Sequence, residues 1–551
     1  MDGPVGVTQC PIPPGKTFLY DFVVEQSGTY WYHSHSGSQY SDGLRAMVIV
    51  HDSEVESKYK YDDERLFSVS DWYHDTSDVL AERQLTRYNP TGAEPIPQSM
   101  LFNDSKNVTV SVEPETTYII RIANIGIMVS QYIFIEDHEF EIVEVDGVYT
   151  KPARANMLYL AVGQRASILL KTKSLSDVNK QFCIVQSLDT SMLDAIPKDL
   201  QVTSISYLSY DKSMAKSVPR KEFYDIDSYE PFDDFNLEPL INQPLLPEPD
   251  HVIHLNLHMD NLGDGVNYAF FNNLTYVTPK VPTLLTALTA PDNLVMNDRI
   301  YGENTNAFVL SGGDVVDLVV DNDDSNKHPL HMHGHQYQVV VRSQEYEVPH
   351  HFQYENASEF PEHPCVRDTL TVNTYGHAVI RFRADNPGIW FFHCHLDFHL
   401  EQGLAIVLVE APDVLRDQLK YDSLPFDYIQ TCLAADMPTK GNAAGNTEDW
   451  LDLAGQNLQP KALPLGFTLK GYIALAACAI SALWGLWEIS IFGMSDVNKQ
   501  FQDRIDHEKL VVKDLILKLS DEKDRVSGKN LRQITEMLAE LDELDHKFAQ
   551  L

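Results

Sequence analysis

The stretch Pro387–Leu404 reads PGIWFFHCHLDFHLEQGL and sets His393, Cys394 and His395 in succession, with His399 following and Leu404 ten residues beyond the cysteine. Neighbouring side chains of a strand point to opposite faces, so His393 and His395 share one face and Cys394 takes the other. A thiolate with a nearby imidazole suits a copper that cycles between two oxidation states. The two flanking imidazoles can serve a second metal centre. One short strand would then carry ligands of two sites and join them through its own bonds. A buried cysteine and three core histidines would look the same locally, but two further clusters separate the readings. His328-Pro-Leu-His331-Met-His333 puts His331 and His333 on one face with His328 apart. Trp31-Tyr-His33-Ser-His35 repeats the His-x-His alternation near the N-terminus. Three such clusters by chance are very improbable.

The motifs HxxHxH at His328–His333, HCHxxxHxxxxL at His393–Leu404 and an intact WYHSH resemble those of the multicopper oxidases. Within them the chain is similar to the fungal membrane-anchored ferroxidases of iron uptake, from Met1 to about residue 495. The resemblance implies a type 1 copper on His328, Cys394 and His399. It also implies a trinuclear cluster with a type 3 pair on His33, His35, His333, His393 and His395, and a type 2 copper on His331, four coppers in the full-length protein. Leu404 stands where many blue copper proteins place an axial methionine. A leucine cannot ligate, which leaves copper three-coordinate and the potential high. The family also carries an early HxHG strand that supplies one type 2 and one type 3 ligand, and no such pair precedes His33. Met1-Asp2-Gly-Pro matches the family segment about a dozen residues after that motif, so the expectation is a start set too late or a truncated chain. Taken literally, the polypeptide lacks two of the eight trinuclear ligands and should hold that cluster poorly.

The same resemblance implies proton-handling carboxylates at Asp2 and Asp397. Asp397 is a departure, since the family usually has glutamate there and aspartate reaches less far. It implies iron-binding carboxylates at Glu94 (GAEPIP), Asp194 (TSMLDAIP) and Asp324, with Tyr268 (GVNYAFF) beside them. Hard oxygen ligands prefer Fe³⁺ and so push the electron toward copper. Asp324 lies four residues before His328, a short route. With 80 acidic residues in the chain, any single one is more often a solvated side chain. Agreement at all three positions is what favours iron. The implied function is copper-dependent oxidation of Fe²⁺ to Fe³⁺ with four-electron reduction of O₂ to water, in high-affinity iron uptake or iron transport, beside a membrane iron permease. A laccase-like oxidase of phenols or amines is the nearer alternative. A non-catalytic partner of the permease follows if the chain truly starts at Met1.

The elements that must position these residues read as short strands. At 551 residues there is room for several domains. A net charge of −38 argues against nucleic acid and anionic membrane surfaces and favours cations, although solubility alone would account for it. Residues 1–52 are expected to form part of a first cupredoxin-like domain, with strands at Thr17–Val24, Gly28–His35 and Arg45–Val50. Residues 53–210 alternate in short strands without a long amphipathic helix, which predicts an antiparallel sandwich with no His-x-His pair. Residues 211–412 comprise an acidic, proline-bearing connector to about residue 250 and a third domain. In HVIHLNLH, His251, His254 and His258 have no visible further partner and are read as ordinary histidines. The fold class is all-β: three cupredoxin-like Greek-key sandwiches, the first incomplete, with one C-terminal transmembrane helix and a tail.

Residues 413–470 show little apolar periodicity and are expected to form a stalk. Residues 471–493 are apolar enough and long enough to span a bilayer, with Tyr472, Trp484 and Trp487 suited to its interfaces. The charged segment 494–551 carries Leu531, Ile534, Leu538, Leu541 and Phe548 at helical spacing, for a partner, a second copy, or no more than an amphipathic surface. The implied setting is a single-pass membrane protein whose catalytic body is extracellular or vacuolar-lumenal. Sequons at Asn103, Asn107, Asn273 and Asn356 suit a glycoprotein in that setting. Six cysteines are few for a disulfide scaffold. The resemblance implies a bridge between Cys10 and Cys432, and none is expected for Cys183 or Cys365. The heptapeptide SDVNKQF occurs at Ser176–Phe182 and again at Ser495–Phe501, without a physical explanation.

Overall fold

Period-two alternation broken by Gly, Asn and Asp turns becomes paired sheets. The computed structural model describes residues 2–174, 181–210, 229–354, 360–462, 466–494 and 497–550. It divides into two compact units, Met1–Leu463 and Pro464–Leu551. The sequon at Asn356, residues 211–228 of the connector and most of the first SDVNKQF copy lie outside the described residues.

The middle sandwich packs a five-stranded sheet against a six-stranded one whose order is Ser99–Phe102, Asp63–Trp72, Thr117–Asn124, Arg165–Lys171, Phe140–Val145 and Val148–Ala155. Its last two strands are joined by Asp146-Gly147, both with positive φ (47° and 81°), as the primed two-residue hairpin turn requires. The third domain repeats the plan. A six-stranded sheet built around His251–Asn261, Val315–Asn322 and His377–Arg383 faces a five-stranded sheet. The latter runs Ala307–Leu310, Ala405–Glu410, Gly388–Cys394, His328–Met332 and Thr369–Val372. The motifs at His328–His333 and His393–His395 thus start from adjacent strands.

Among the described residues two strands represent the first domain, Gly28–His33 paired antiparallel with Arg45–Val50. They are held to the middle sandwich by buried polar contacts. Thr29 N donates to Glu144 Oε1 at 2.6 Å, and Arg165 Nε donates to Thr29 O at 3.0 Å. Thr17–Val24, expected as a strand, pairs with no ladder, and Leu19, Phe22 and Val23 are exposed. Alternation supplies a strand's side-chain pattern, but the backbone hydrogen bonds need a neighbour.

Residues 413–462 do not form the expected stalk. Helices Pro412–Gln418 and Phe426–Ala434 seat Leu415, Tyr428 and Cys432 on the body, and Trp450 is buried beyond them. Asn442, fully buried, takes the place of regular structure. Its Oδ1 accepts from Ala444 N and Asn446 N, and its Nδ2 donates to Trp450 O and Asp452 O. Anchors spaced by side-chain turns leave no apolar period to read. In the second unit, Leu469–Met494 is a 26-residue exposed helix, long and apolar enough to cross a membrane. Helices Val497–Lys523 and Lys529–Ala549 pack together, and Leu531, Ile534, Leu538, Leu541 and Phe548 are half-buried.

The bridge between Cys10 and Cys432 is present and joins residues 422 apart in sequence. Closing so long a loop restricts the unfolded chain, so Cys10→Ser with Cys432→Ser is expected to lower stability by about 2–5 kcal/mol. Chemical denaturation of both proteins checks this.

Candidate metal centres

Register sets the first centre. Strand Gly388–Cys394 lies antiparallel to His328–Met332 with Leu330 opposite Cys394 and His331 opposite His393. His399 returns from the short helix Asp397–Glu401, and Leu404 N donates to His399 O at 3.0 Å. Cys394 Sγ then lies 3.7 Å from His328 Nδ1 and 3.6 Å from His399 Nδ1, with the two nitrogens 3.1 Å apart. All three side chains are fully buried, as is Leu404. Metal bonds of about 2.0–2.3 Å in a trigonal array place ligand atoms about 3.5–3.8 Å apart, so this soft sulfur and two imidazoles fit a copper ion. Burial alone would raise the Cys394 thiol, but the imidazoles of His328 and His399 outweigh it and bring it down to about 7. The thiolate that a metal needs is therefore accessible.

The same two rings turn their Nε2 atoms outward to acids. His399 Nε2 lies 2.9 Å from Glu94 Oε1, and His328 Nε2 lies 3.0 Å from Asp324 Oδ2. Glu94 N in turn donates to Asp194 Oδ2 at 3.3 Å. Three carboxylates from three segments thus gather on the outer side of the centre. Burial would raise Asp324, but the His328 imidazole beside it holds it down at about 2. Asp194 goes the other way, raised to about 6 by burial and by Glu94 and Asp324. Tyr268, expected with them, donates instead to Asp264 at 2.9 Å. Its strand neighbour Asn267 faces Gly92 in the loop that leads to Glu94, and alternation turns Tyr268 away.

The second centre is a chamber of six imidazoles. His35, His333 and His393 hold nitrogens within 4.8 Å of one another, and His333 Nε2 is 3.2 Å from His393 Nε2. The rings of His33 and His395 are 5.4 Å apart, and those of His331 and His395 5.5 Å. Burial lowers His33 to about 4 and carries His35, His393 and His395 well below the ordinary histidine range, so they are neutral, as ligands must be. Outer partners hold four of the rings by Nδ1. His33 lies 2.9 Å from Ser34 O, His393 2.8 Å from Cys394 O, His333 2.9 Å from the Asp2 carboxylate, and His331 3.0 Å from Thr369 Oγ1. Their Nε2 atoms are left for a metal. His35 Nε2 is buried with no protein partner at all, a cost that a bound ion removes. Asp397 is buried at the edge of this chamber, accepts from Ser41 Oγ at 2.7 Å, and is raised to about 7 by burial.

Several supporting residues had no signal in motif spacing. Asp368 O accepts at 3.1 Å from His331 Nδ1, and its carboxylate is gripped by Arg165 at 2.8 and 2.7 Å. Of the histidines in HVIHLNLH, exposed His251 pairs with Asp314 and His258 stacks on Phe270. Neither belongs to the metal groups found among the described residues.

Family profiles described as multicopper oxidase match residues 1–55, 63–213 and 276–414. The iron transport multicopper oxidase FET3 of Candida glabrata is 49% identical over 506 residues, covering 90% of this chain and 78% of its own. The iron transport multicopper oxidase FET5 of Saccharomyces cerevisiae is 47% identical over 511 residues, covering 90% and 81%. Among solved structures, Fet3p, described as a multicopper oxidase that functions in iron import, superposes with a TM-score of 0.78 at 47% identity, covering 83% of this chain and 86% of that one. A laccase from Botrytis aclada shares the fold at 23% identity and a TM-score of 0.65, with 78% of each chain covered.

Replacing the sulfur tests the first centre without touching the second. Cys394→Ser is expected to abolish the intense visible absorption of a thiolate-bound copper and to remove one copper per chain. Metal analysis and absorption spectra of the two proteins decide it.

Proposed function

The chain belongs to the multicopper oxidase family, and we propose from this premise that it is a ferroxidase of iron transport, oxidising Fe²⁺ at the expense of O₂. The observation that carries the reading is the ring of Glu94, Asp194 and Asp324 around the outward nitrogens of His399 and His328. Copper held by His328, Cys394 and His399, and by the imidazole chamber, supplies one-electron redox chemistry. The chain's own residues do the rest. The three carboxylates bind Fe²⁺ as hard oxygen ligands and stabilise Fe³⁺ more, which lowers the iron couple. The imidazoles of His399 and His328 each touch a carboxylate on one side and face the Cys394 sulfur on the other, so the electron crosses a single ring. Four Fe²⁺ give four electrons, and O₂ with four protons becomes two waters. Asp397, its carboxyl raised by burial, can hold a proton beside the chamber, and Asp2 orients His333. Leu404 offers no ligand atom to the first centre.

The exposed apolar helix supports a single-pass anchor. We place the catalytic body on the extracellular or vacuolar-lumenal side, where the Cys10–Cys432 bridge persists and the exposed Asn107 and Asn273 can be glycosylated. Asn103 suits a glycan less well, because its amide is bound to Ser68 N and Leu66 O. A membrane iron permease is the proposed acceptor of the Fe³⁺ product.

Glu94→Ala and Asp324→Ala are expected to reduce Fe²⁺ oxidation about 10–100-fold while leaving an aromatic electron donor much less affected. Equal losses on both donors would favour a laccase-like oxidase. The acid limb carries a second test. Asp194 loses its charge as pH falls through about 6, so the KM for Fe²⁺ should rise below that pH, and Asp194→Asn should flatten this limb.

A further inference from the structure

Lys327 precedes His328 and is only 8% exposed. A buried ammonium is tolerated only with partners. Its Nζ donates to Asp189 Oδ2 at 2.8 Å and to Glu345 Oε1 at 2.9 Å. Glu345 is half-exposed and belongs to the same domain, whereas Asp189 is 4% exposed and comes from the middle sandwich. The ion pair therefore crosses the boundary between the two domains that supply the carboxylate ring.

What each partner holds gives the pair its interest. Asp189 follows strand Gln181–Leu188, and its N donates to Ser130 O at 2.9 Å. It caps the turn Thr190–Met192, where Oδ1 accepts from Ser191 N at 3.1 Å and Ser191 Oγ at 2.6 Å, while Tyr159 donates to Oδ2 at 2.9 Å. Asp194 follows that turn by two residues. On the other side Asp324 lies three residues before Lys327, its N bound to Asn322 Oδ1 and its Oδ2 accepting from Asn326 N. Both acids thus stand on short, internally bonded segments, and the two segments are tied to each other at Lys327–Asp189.

We propose that the buried Lys327–Asp189 ion pair is a clamp that fixes the distance between Asp194 and Asp324, making Lys327 a positioning residue for the metal substrate. This rests on the ferroxidase reading of the carboxylate ring. Lys327 does not touch iron. It acts through the turn that delivers Asp194, and a loose turn would leave one of three oxygen ligands misplaced.

Removing one partner alone would strand a buried charge and unsettle the fold. The test therefore neutralises both, Lys327→Met with Asp189→Asn, which retains an amide oxygen to cap the turn. The copper-loaded full chain is mixed anaerobically with Fe²⁺ or with hydroquinone, and bleaching of the thiolate–copper band is followed. Half-saturation for Fe²⁺ is expected to rise about tenfold, with the hydroquinone rate within twofold of the parent. Calorimetric binding of Mn²⁺, a redox-inert stand-in that prefers carboxylates, is expected to weaken by the same factor. Asp194→Ala is the control. If it weakens Fe²⁺ use selectively and the neutral pair does not, the clamp is overturned while the ferroxidase reading stands. If the neutral pair slows both donors together, the pair acts on general packing and the clamp is likewise overturned. If Asp194→Ala itself spares Fe²⁺, the carboxylate reading fails, and the clamp fails with it.

Discussion

One antiparallel register carries both metal centres. With Leu330 opposite Cys394 and His331 opposite His393, two histidine-bearing strands lie side by side, and the pleat sends alternate residues to separate chambers. A slip of one residue would exchange the faces, placing the sulfur among imidazoles meant for the second centre and destroying both at once. The register is secured on both sides. His328–Met332 also pairs with Thr369–Val372, and Gly388–Cys394 pairs with Ala405–Glu410, so neither strand is an edge. A central place in a buried sheet also supplies the dryness that keeps the imidazoles neutral.

The chamber is further braced by ions that have little to do with redox chemistry. Arg367 Nε meets Asp146 Oδ2 at 2.8 Å, Asp146 Oδ1 accepts from Arg165 N at 2.8 Å, Arg165 grips Asp368, and Asp368 O accepts from His331. Nearby, buried Arg121 faces Glu56, Glu64 and Glu144 at 2.7, 2.5 and 3.3 Å. Apolar residues of similar volume would often hold such positions as stably. What directional bonds add is orientation. The Arg165 guanidinium alone reaches the first pair of strands at Thr29 O, the middle domain at Gly163 O, and Asp368, the residue whose backbone oxygen holds His331.

The candidate copper ligands were legible in the sequence because strand alternation converts adjacency into opposite faces, and the HCH triplet displays that conversion without distant information. The disulfide and the gathered acids were legible through resemblance, since nothing local links Glu94 to His399. Tyr268 shows the limit of that route: a matching residue can turn its hydroxyl to a neighbour such as Asp264. Thr17–Val24 carried a strand's pattern without a strand's partner. Residues 413–462 escaped notice because their two helices are short and the chain beyond them is folded by the side-chain bonds of Asn442. Asp368 and Lys327 were invisible for a related reason. A buried charge announces itself only when its partner is known, and Arg165 and Asp189 lie more than a hundred residues away.

The long covalent bridge bears on how the chain comes to hold metal at all. Cys10 leaves the ribosome early and waits for Cys432 while every other cysteine of the body passes by. Thiol–disulfide exchange needs an accessible thiolate, and in the finished body Cys365 and Cys394 are sealed from solvent. Once the third sandwich is closed, neither thiol is open to exchange with an unpaired Cys10. The closed fold thus keeps the sulfur that faces His328 and His399 free of a disulfide.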